Sequence, residues 1–174
     1  MNHPSNYMPT SPFISFVSIE STGASGRLVN GGNPSFGTTW PTSGKAIYVP
    51  FSLRTPILVT KLWTANATNV TDNRDVGIYD INGTLIVSTG ATAGSGTNAM
   101  QFYDITDTLI GPGQFYLALA NNGTTSVYVG SNGNTRGTKA MGILEQASAY
   151  PLPATATFAT VSQAFIPSFG LSIL

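Results

Sequence analysis

The chain holds one histidine, His3, and no cysteine. A Ser-His-Asp or Cys-His set needs an imidazole inside the fold, and a zinc site needs several His or Cys ligands. His3 lies in a polar terminal stretch and reads as a solvated tail residue, so no metal and no cofactor are expected. The acid–base inventory is seven carboxylates: Glu20, Asp72, Asp75, Asp80, Asp104, Asp107 and Glu145. Glycoside hydrolysis needs two of these facing one another across a cleft. Asp80 instead precedes Asn82-Gly83, where Asp side chains bond nearby backbone, and Asp104 and Asp107 flank Ile105-Thr106 like turn or cap residues. A sandwich-type hydrolase therefore ranks last, no catalytic residue is assigned, and the chain is expected not to be an enzyme. Thr71-Asp72-Asn73-Arg74-Asp75 offers oxygens to a calcium ion, but Arg74 sits among them and the run lacks the carboxylates at alternate positions and the distant Glu of a calcium loop. A solvated turn, with a weak Arg74–Asp75 contact, is the expectation.

Binding chemistry then falls to aromatic side chains. Sugar-binding sandwiches stack sugar rings on exposed Trp or Tyr beside Asn or Asp oxygens. Trp40, in a Gly-rich stretch, is the best exposed candidate; Tyr48 and Tyr128 fall on the less apolar faces of their strands and could line a groove or a subunit contact. Trp63 sits in an apolar run and reads as core. Asn-x-Thr triplets begin at Asn66, Asn69, Asn82 and Asn122, but Asn and Thr are common enough here for chance to supply several.

Composition bounds the remaining options. Charged residues make up 8% of the chain, against roughly 25% in an average soluble domain. Thr, Ser, Asn and Gly supply 72 of the 174 residues, so neutral polar groups must cover the surface. Formal net charge is zero, which leaves little electrostatic self-repulsion and favours association. The seven basic residues are spread singly, so no nucleic-acid partner is expected. No apolar run approaches the roughly 18 residues of a membrane span, and no membrane partner is expected. Met1 to Thr10 lack a basic region and an apolar core, so no signal peptide is expected and the chain is read as made in the cytosol.

These residues must be positioned by short apolar–polar alternations broken by Gly, Asn and Pro, the pattern of an all-β chain. In Ala46 to Leu53, Ile47, Val49, Phe51 and Leu53 share one face, and Pro50 marks an edge or a bulge. Ile57 to Ala65 is apolar on both faces and should lie between layers. Asp75 to Asp80 and Thr84 to Thr89 read as a hairpin through Ile81-Asn82-Gly83. A loop follows over Ala91 to Asn98, a short strand over Met100 to Ile105, a turn over Asp107 to Gly113 and a strand over Gln114 to Ala120 with Phe115, Leu117 and Leu119 inward. Asn121-Asn122-Gly123 reads as another hairpin turn, into a strand over Ser126 to Val129, with a polar loop over Ser131 to Gly137. Lys139 to Ala149 is the one candidate helix, weakened by Gly142, and late strands are expected near Ala154 to Val161 and Phe165 to Ile173. Thr22 to Gly44, with Phe36 and Trp40 embedded, reads as a long surface loop or a hinge. This gives an N-terminal arm and Gly-rich loop over 1–45 and a β-sandwich domain over 46–174. Jelly roll is preferred for the sandwich, with an immunoglobulin-like sandwich second.

One set of segments carries a resemblance. It runs through Pro50-Phe51, Pro56-Ile57-Leu58-Val59-Thr60-Lys61-Leu62-Trp63, Asp75-Val76-Gly77-Ile78-Tyr79-Asp80 with Asn82-Gly83-Thr84-Leu85, and Asp104-Ile105-Thr106-Asp107-Thr108. Gly111-Pro112-Gly113-Gln114-Phe115-Tyr116-Leu117-Ala118 and Leu152-Pro153-Ala154-Thr155-Ala156-Thr157-Phe158-Ala159 complete it. In these the chain resembles uncharacterised structural proteins of tailed bacteriophages, over about residues 46 to 174. The resemblance implies a non-enzymatic virion subunit, of the capsid decoration or cement type or a tail accessory. Its partners would be major capsid or tail proteins. It carries no catalytic motif. Expected contact residues are Tyr7, Met8, Phe13, Ile14 and Phe16 in the arm, with Phe36 and Trp40 in the Gly-rich stretch. A homo-oligomer is expected, with a trimer as the guess. The alternative is a carbohydrate-binding or receptor-binding module of a tail or fibre, with a surface glycan as ligand.

Overall fold

The computed structural model describes residues 17–22, 25–30, 35–132 and 134–173, with side chains over 37–130 and 134–173. His3 and the arm residues Tyr7, Met8, Phe13, Ile14 and Phe16 lie outside the described residues, as does the side chain of Phe36. The strands are β1 (Val17–Thr22), β2 (Ser25–Asn30), β3 (Ser35–Thr39), β4 (Ala46–Leu53), β5 (Ile57–Ala65), β6 (Asn73–Asp80), β7 (Leu85–Ser88) and β8 (Thr92–Ala93). They continue as β9 (Met100–Ile110), β10 (Gly113–Asn121) and β11 (Val127–Asn132). After a short helix α1 (Thr135–Ala140) come β12 (Leu144–Gln146), β13 (Ala159–Thr160), β14 (Phe165–Pro167) and β15 (Phe169–Ile173). The fold is an all-β sandwich of antiparallel sheets.

The front sheet has the order β1-β2-β15-β5-β9, and the back sheet β13-β12-β4-β10-β6-β7 with β8 pairing β6. A third sheet, β14-β11-β3, adds to the two. The main core lies between front and back. Ile47, Val49, Phe51, Val76, Ile78, Leu117 and Leu119 come from the back sheet; Val59, Leu62, Tyr103, Ile110, Phe169 and Leu171 come from the front. Period-two alternation in β4 and β10 puts every second residue on that inner face, as expected for Phe115, Leu117 and Leu119. Pro50 is tolerated because β12 pairs β4 only at Ala46, Ile47 and Tyr48, which leaves the strand open on that side by Pro50.

The β6–β7 hairpin forms where Asn-Gly predicts it. Gly83 has φ +84°, and the Asp80 carboxylate accepts the N–H groups of Asn82 and Thr84 at 2.9 and 2.8 Å.

Elsewhere local signals yield to long-range pairing. Residues 22–44, expected as a loop or hinge, carry β2 and β3, which pair β15 and β11. β9 runs on to Ile110 because Leu109 and Ile110 pair Leu58 and Ile57, so Asp104 and Asp107 lie in a strand and the turn shrinks to Gly111-Pro112. Asn121-Asn122-Gly123 is not a hairpin turn: β10 belongs to the back sheet and β11 to the third. The helix falls at Thr135–Ala140, capped by the Asn134 side chain on Gly137 N–H at 2.8 Å. Gly142, at φ +72°, ends that turn, and Leu144–Gln146 is strand β12. The expected strand over Ala154 to Val161 reduces to Ala159–Thr160.

Residues 147–158 instead cross the outer face of the back sheet. There Ala149 and Leu152, with partly buried Tyr150, Ala156 and Phe158, pack on Tyr48, Tyr79, Tyr116 and Ala118. Phe158 meets the rings of Tyr48 and Tyr116 at centroid distances of 5.0 and 4.6 Å. Backbone bonds fasten the crossing segment: Leu85 N–H to Ala154 O at 3.0 Å and Ala156 N–H to Gly83 O at 2.8 Å.

Candidate interaction surface

The buried polar groups serve the fold. Arg74 is fully buried and belongs to neither of the two ion pairs among the described residues, Lys45–Glu145 and Lys61–Asp104. Its guanidinium donates to Asn66 Oδ1, Val70 O, Asp72 O and Ser126 Oγ, and lies 5.0 Å from the centre of the Tyr128 ring. Carbonyl and amide acceptors plus a cation–π contact thus take the place of a counter-ion. The Asp72 carboxylate accepts from Thr125 N–H, Thr125 Oγ1, Ser126 N–H and Asn121 Nδ2, tying the β10–β11 connection to the chain before β6. Burial alone would raise its pKa, but these bonds together hold it below the ordinary carboxylate value. Asp75 is buried on the face of β6 opposite Arg74, and accepts from Leu152 N–H at 3.0 Å and Thr89 Oγ1 at 3.2 Å. Desolvation dominates there and raises its pKa.

The 71–75 run is therefore not a solvated turn. Arg74 and Asp75 point into different layers because β6 alternates faces. No group of three or more potential metal ligands occurs among the described residues.

Trp40 does not stand exposed. It is 1% accessible, because pairing of β3 with β11 draws it into the sandwich. Its backbone N–H reaches Ser126 O at 3.1 Å and its indole N–H reaches Lys45 O at 3.2 Å. Tyr128 packs edge-on to it at 5.5 Å and donates to Asn121 Oδ1 at 2.8 Å. Tyr48 is buried beneath Phe158. None of these three rings can stack on a sugar, so the glycan-binding alternative loses its platform. Trp63 is buried, as expected, but Leu62 and Thr64 face the core side and Trp63 turns to the outer face of the front sheet. Asn66 is buried in the Arg74 network and is no glycan acceptor.

Among the described residues the exposed large apolar side chains lie on two edge strands and an adjoining turn. β9 ends the front sheet and β7 ends the back sheet on its β6 side, and the two strands touch along one side of the sandwich. Met100, Phe102 and Leu109 of β9 are exposed, as are Ile86 of β7 and Ile81 in the adjoining turn. Leu109 is 69% accessible and Phe102 47%. The pairing of β5 with β9 is irregular between Val59/Thr108 and Lys61/Asp104, which divides β9 into two shorter ladders. Beside its Met100 end opens a hollow of about 190 Å³ lined by Ala65, Asn66, Asn98, Ala99, Met100 and Val129. A readable signal for these positions existed. Phe102-Tyr103 and Leu109-Ile110 are adjacent bulky apolar pairs, and a strand can send only one of each pair inward.

No family model matches the chain, and neither a curated protein nor a solved structure does.

Proposed function

We propose that this chain is a non-enzymatic structural subunit of a tailed-phage particle, of the capsid decoration type, which works by protein–protein contact with other virion proteins. The observation that carries the reading is the exposed apolar set on β9 and β7, in a chain of which only 8% of the residues are charged. Exposed apolar residues grouped on adjoining edges mark contact surfaces, and low charge removes the repulsion that keeps a free-living protein apart from its neighbours. The polar side chains agree with this reading, since Arg74, Asp72 and Asp75 bind the fold's own loops. Location in the virion after synthesis in the host cytoplasm, and a homo-oligomeric state, belong to the same proposal.

The test is co-sedimentation of the purified full-length protein with undecorated shells, and separately with tails. Saturable binding that persists at high salt is the expected outcome, because few ion pairs are available to be screened. Absence of binding to either at tens of micromolar protein would overturn the assignment, since a stable contact of standard size falls well below that range.

A further inference from the structure

The chain carries four Asn-Gly pairs, beginning at Asn30, Asn82, Asn122 and Asn132. Two of them, Asn82-Gly83 and Asn122-Gly123, lie wholly among the residues described with side chains. An asparagine amide carbon is open to attack by the main-chain nitrogen of the next residue, and glycine, having no Cβ, obstructs that approach least. We propose that Asn122 is a self-modification site, which loses its side-chain amide through a cyclic imide with Gly123, while the fold protects Asn82 from the same reaction. The inference is independent of the virion role.

The step balances with water as its sole co-reactant. The Gly123 nitrogen gives up its proton and bonds to Asn122 Cγ. The Cγ–Nδ2 bond breaks, and Nδ2 departs as ammonia with its own two protons and the one released by the Gly123 nitrogen. Water then opens the imide. Cleavage of the bond to Cγ leaves aspartate in a normal main chain; cleavage of the bond to the Asn122 carbonyl carbon leaves isoaspartate, with the main chain rerouted through Cγ. No electron is transferred.

Asn122 is set up for this. It is exposed, and its Oδ1 accepts the Asn73 N–H at 2.8 Å. A main-chain donor on that oxygen draws charge from Cγ and stabilises the oxyanion that forms as nitrogen adds. The donor is kept in place by Asn122 N–H to Asn73 O at 3.0 Å, and Ser43 Oγ fastens Asn122 O at 2.5 Å. Among the described residues no hydrogen bond engages the Gly123 N–H, so the attacking nitrogen has none to break.

Asn82-Gly83 is the reverse. The Gly83 N–H is bonded to Asp80 O at 3.1 Å, and Gly83 O accepts Ala156 N–H at 2.8 Å. Gly83 is buried: a Cβ there would lie 3.1 Å from Ala156 O and 3.2 Å from the Phe158 ring. Attack at Asn82 therefore requires a turn bond to break and residues 147–158 to lift.

Conversion at Asn122 adds one negative charge to a chain whose formal charge is zero. The charge arises beside Asp72, whose carboxylate a Cβ on Gly123 would overlap. That overlap also rules out Gly123→Ala as a control, so the two pairs are compared within one unaltered chain.

The full-length protein is held at mildly alkaline pH, folded and in parallel in urea, and peptide mass mapping with fragment spectra follows residues 82 and 122. In the folded protein Asn122 is expected to convert about tenfold faster than Asn82, and in urea the two rates should come within about twofold of each other. Both aspartate and isoaspartate should appear at position 122. Conversion at Asn82 as fast as at Asn122 in the folded protein, or no conversion at Asn122 there, would overturn the proposal. The same rate ratio in urea would overturn it too, because the difference would then come from local sequence and not from the fold. Aspartate at position 122 without isoaspartate would overturn the cyclic route in favour of direct hydrolysis of the amide.

Discussion

The outer face of the back sheet and the β9 edge of the front sheet meet the same problem in opposite ways. Each presents aromatic and aliphatic side chains away from the main core. On the back sheet the chain returns over its own surface: residues 147–158 cover Tyr48, Tyr79 and Tyr116, with Leu152 buried to 7% exposure and Phe158 packed against two tyrosine rings. Among the described residues no such return crosses β9, and Phe102 and Leu109 are exposed. Having a cover on one face and none at the other edge separates surface closed within the molecule from surface left for another protein. Gly77 shows how closely the cover is fitted. A Cβ there would lie 2.8 Å from Leu152 Cδ1 and 3.0 Å from Val87 O, so the strand beneath the cover admits no side chain.

The comparison breaks most sharply at Leu152. Leu152→Ala removes a buried side chain whose backbone N–H is held by Asp75, so the site cannot collapse freely. A loss of about 2–4 kcal/mol in unfolding free energy is expected from transfer and cavity terms together. Urea denaturation measures it. A loss below about 1 kcal/mol, the scale of an ordinary surface change, would mean that residues 147–158 are loosely laid and that the two regions do not differ in kind.

Proton linkage sharpens the contrast with a smaller effect. Asp75 lies beneath the cover and its pKa is raised, chiefly by desolvation. A raised folded-state pKa gives a contribution that is fully present below the unfolded value and lost as pH rises through the folded one. Asp72 lies outside the cover; burial pushes its pKa up, but the bonds from Thr125, Ser126 and Asn121 outweigh burial and lower it. Its contribution is present above the unfolded value and is lost as pH falls through the folded one. Relative to Asp75→Asn, the wild type should gain stability as pH falls from neutral through the carboxylate range. Relative to Asp72→Asn, it should lose stability as pH falls lower still. Urea unfolding of the three proteins over that range reads both slopes, and slopes of equal sign would contradict the assignment.

Much of this division was legible in the residues, and the reason it was incomplete is physical. Period-two alternation located Ala46–Leu53, and an apolar run on both faces located Ile57–Ala65, each to the residue, because burial on one face demands alternation and burial on two does not. Asn82-Gly83 located the hairpin because its turn chemistry is local. What failed was long-range. Asn121-Asn122-Gly123 has the same turn chemistry, but Asp72, distant in sequence, fixes the following residues so that the chain passes to another sheet. Residues 147–158 have no period because their main chain bonds single partners such as Gly83 and Leu85 rather than a ladder. Trp40 looked exposed among glycines, and a strand pairing with β11 buried it.

Leu109→Ala is the matched control for Leu152→Ala: the same atoms are removed, but from a side chain that is 69% exposed. Little apolar area is uncovered or lost, so at high dilution the unfolding free energy should stay within about 0.5 kcal/mol of wild type. The informative variable is protein concentration. A contact made only by the folded, associated protein adds stability that grows with the concentration of its partner. If Leu109 belongs to surface meant for another copy, the gap between Leu109→Ala and wild type should open as concentration rises from nanomolar to tens of micromolar, while the gap for Leu152→Ala stays constant. A Leu109→Ala cost above about 1 kcal/mol already at high dilution would mean that this leucine is covered within its own chain. β9 would then be closed in the same manner as the back sheet, and the distinction between the two regions would fall.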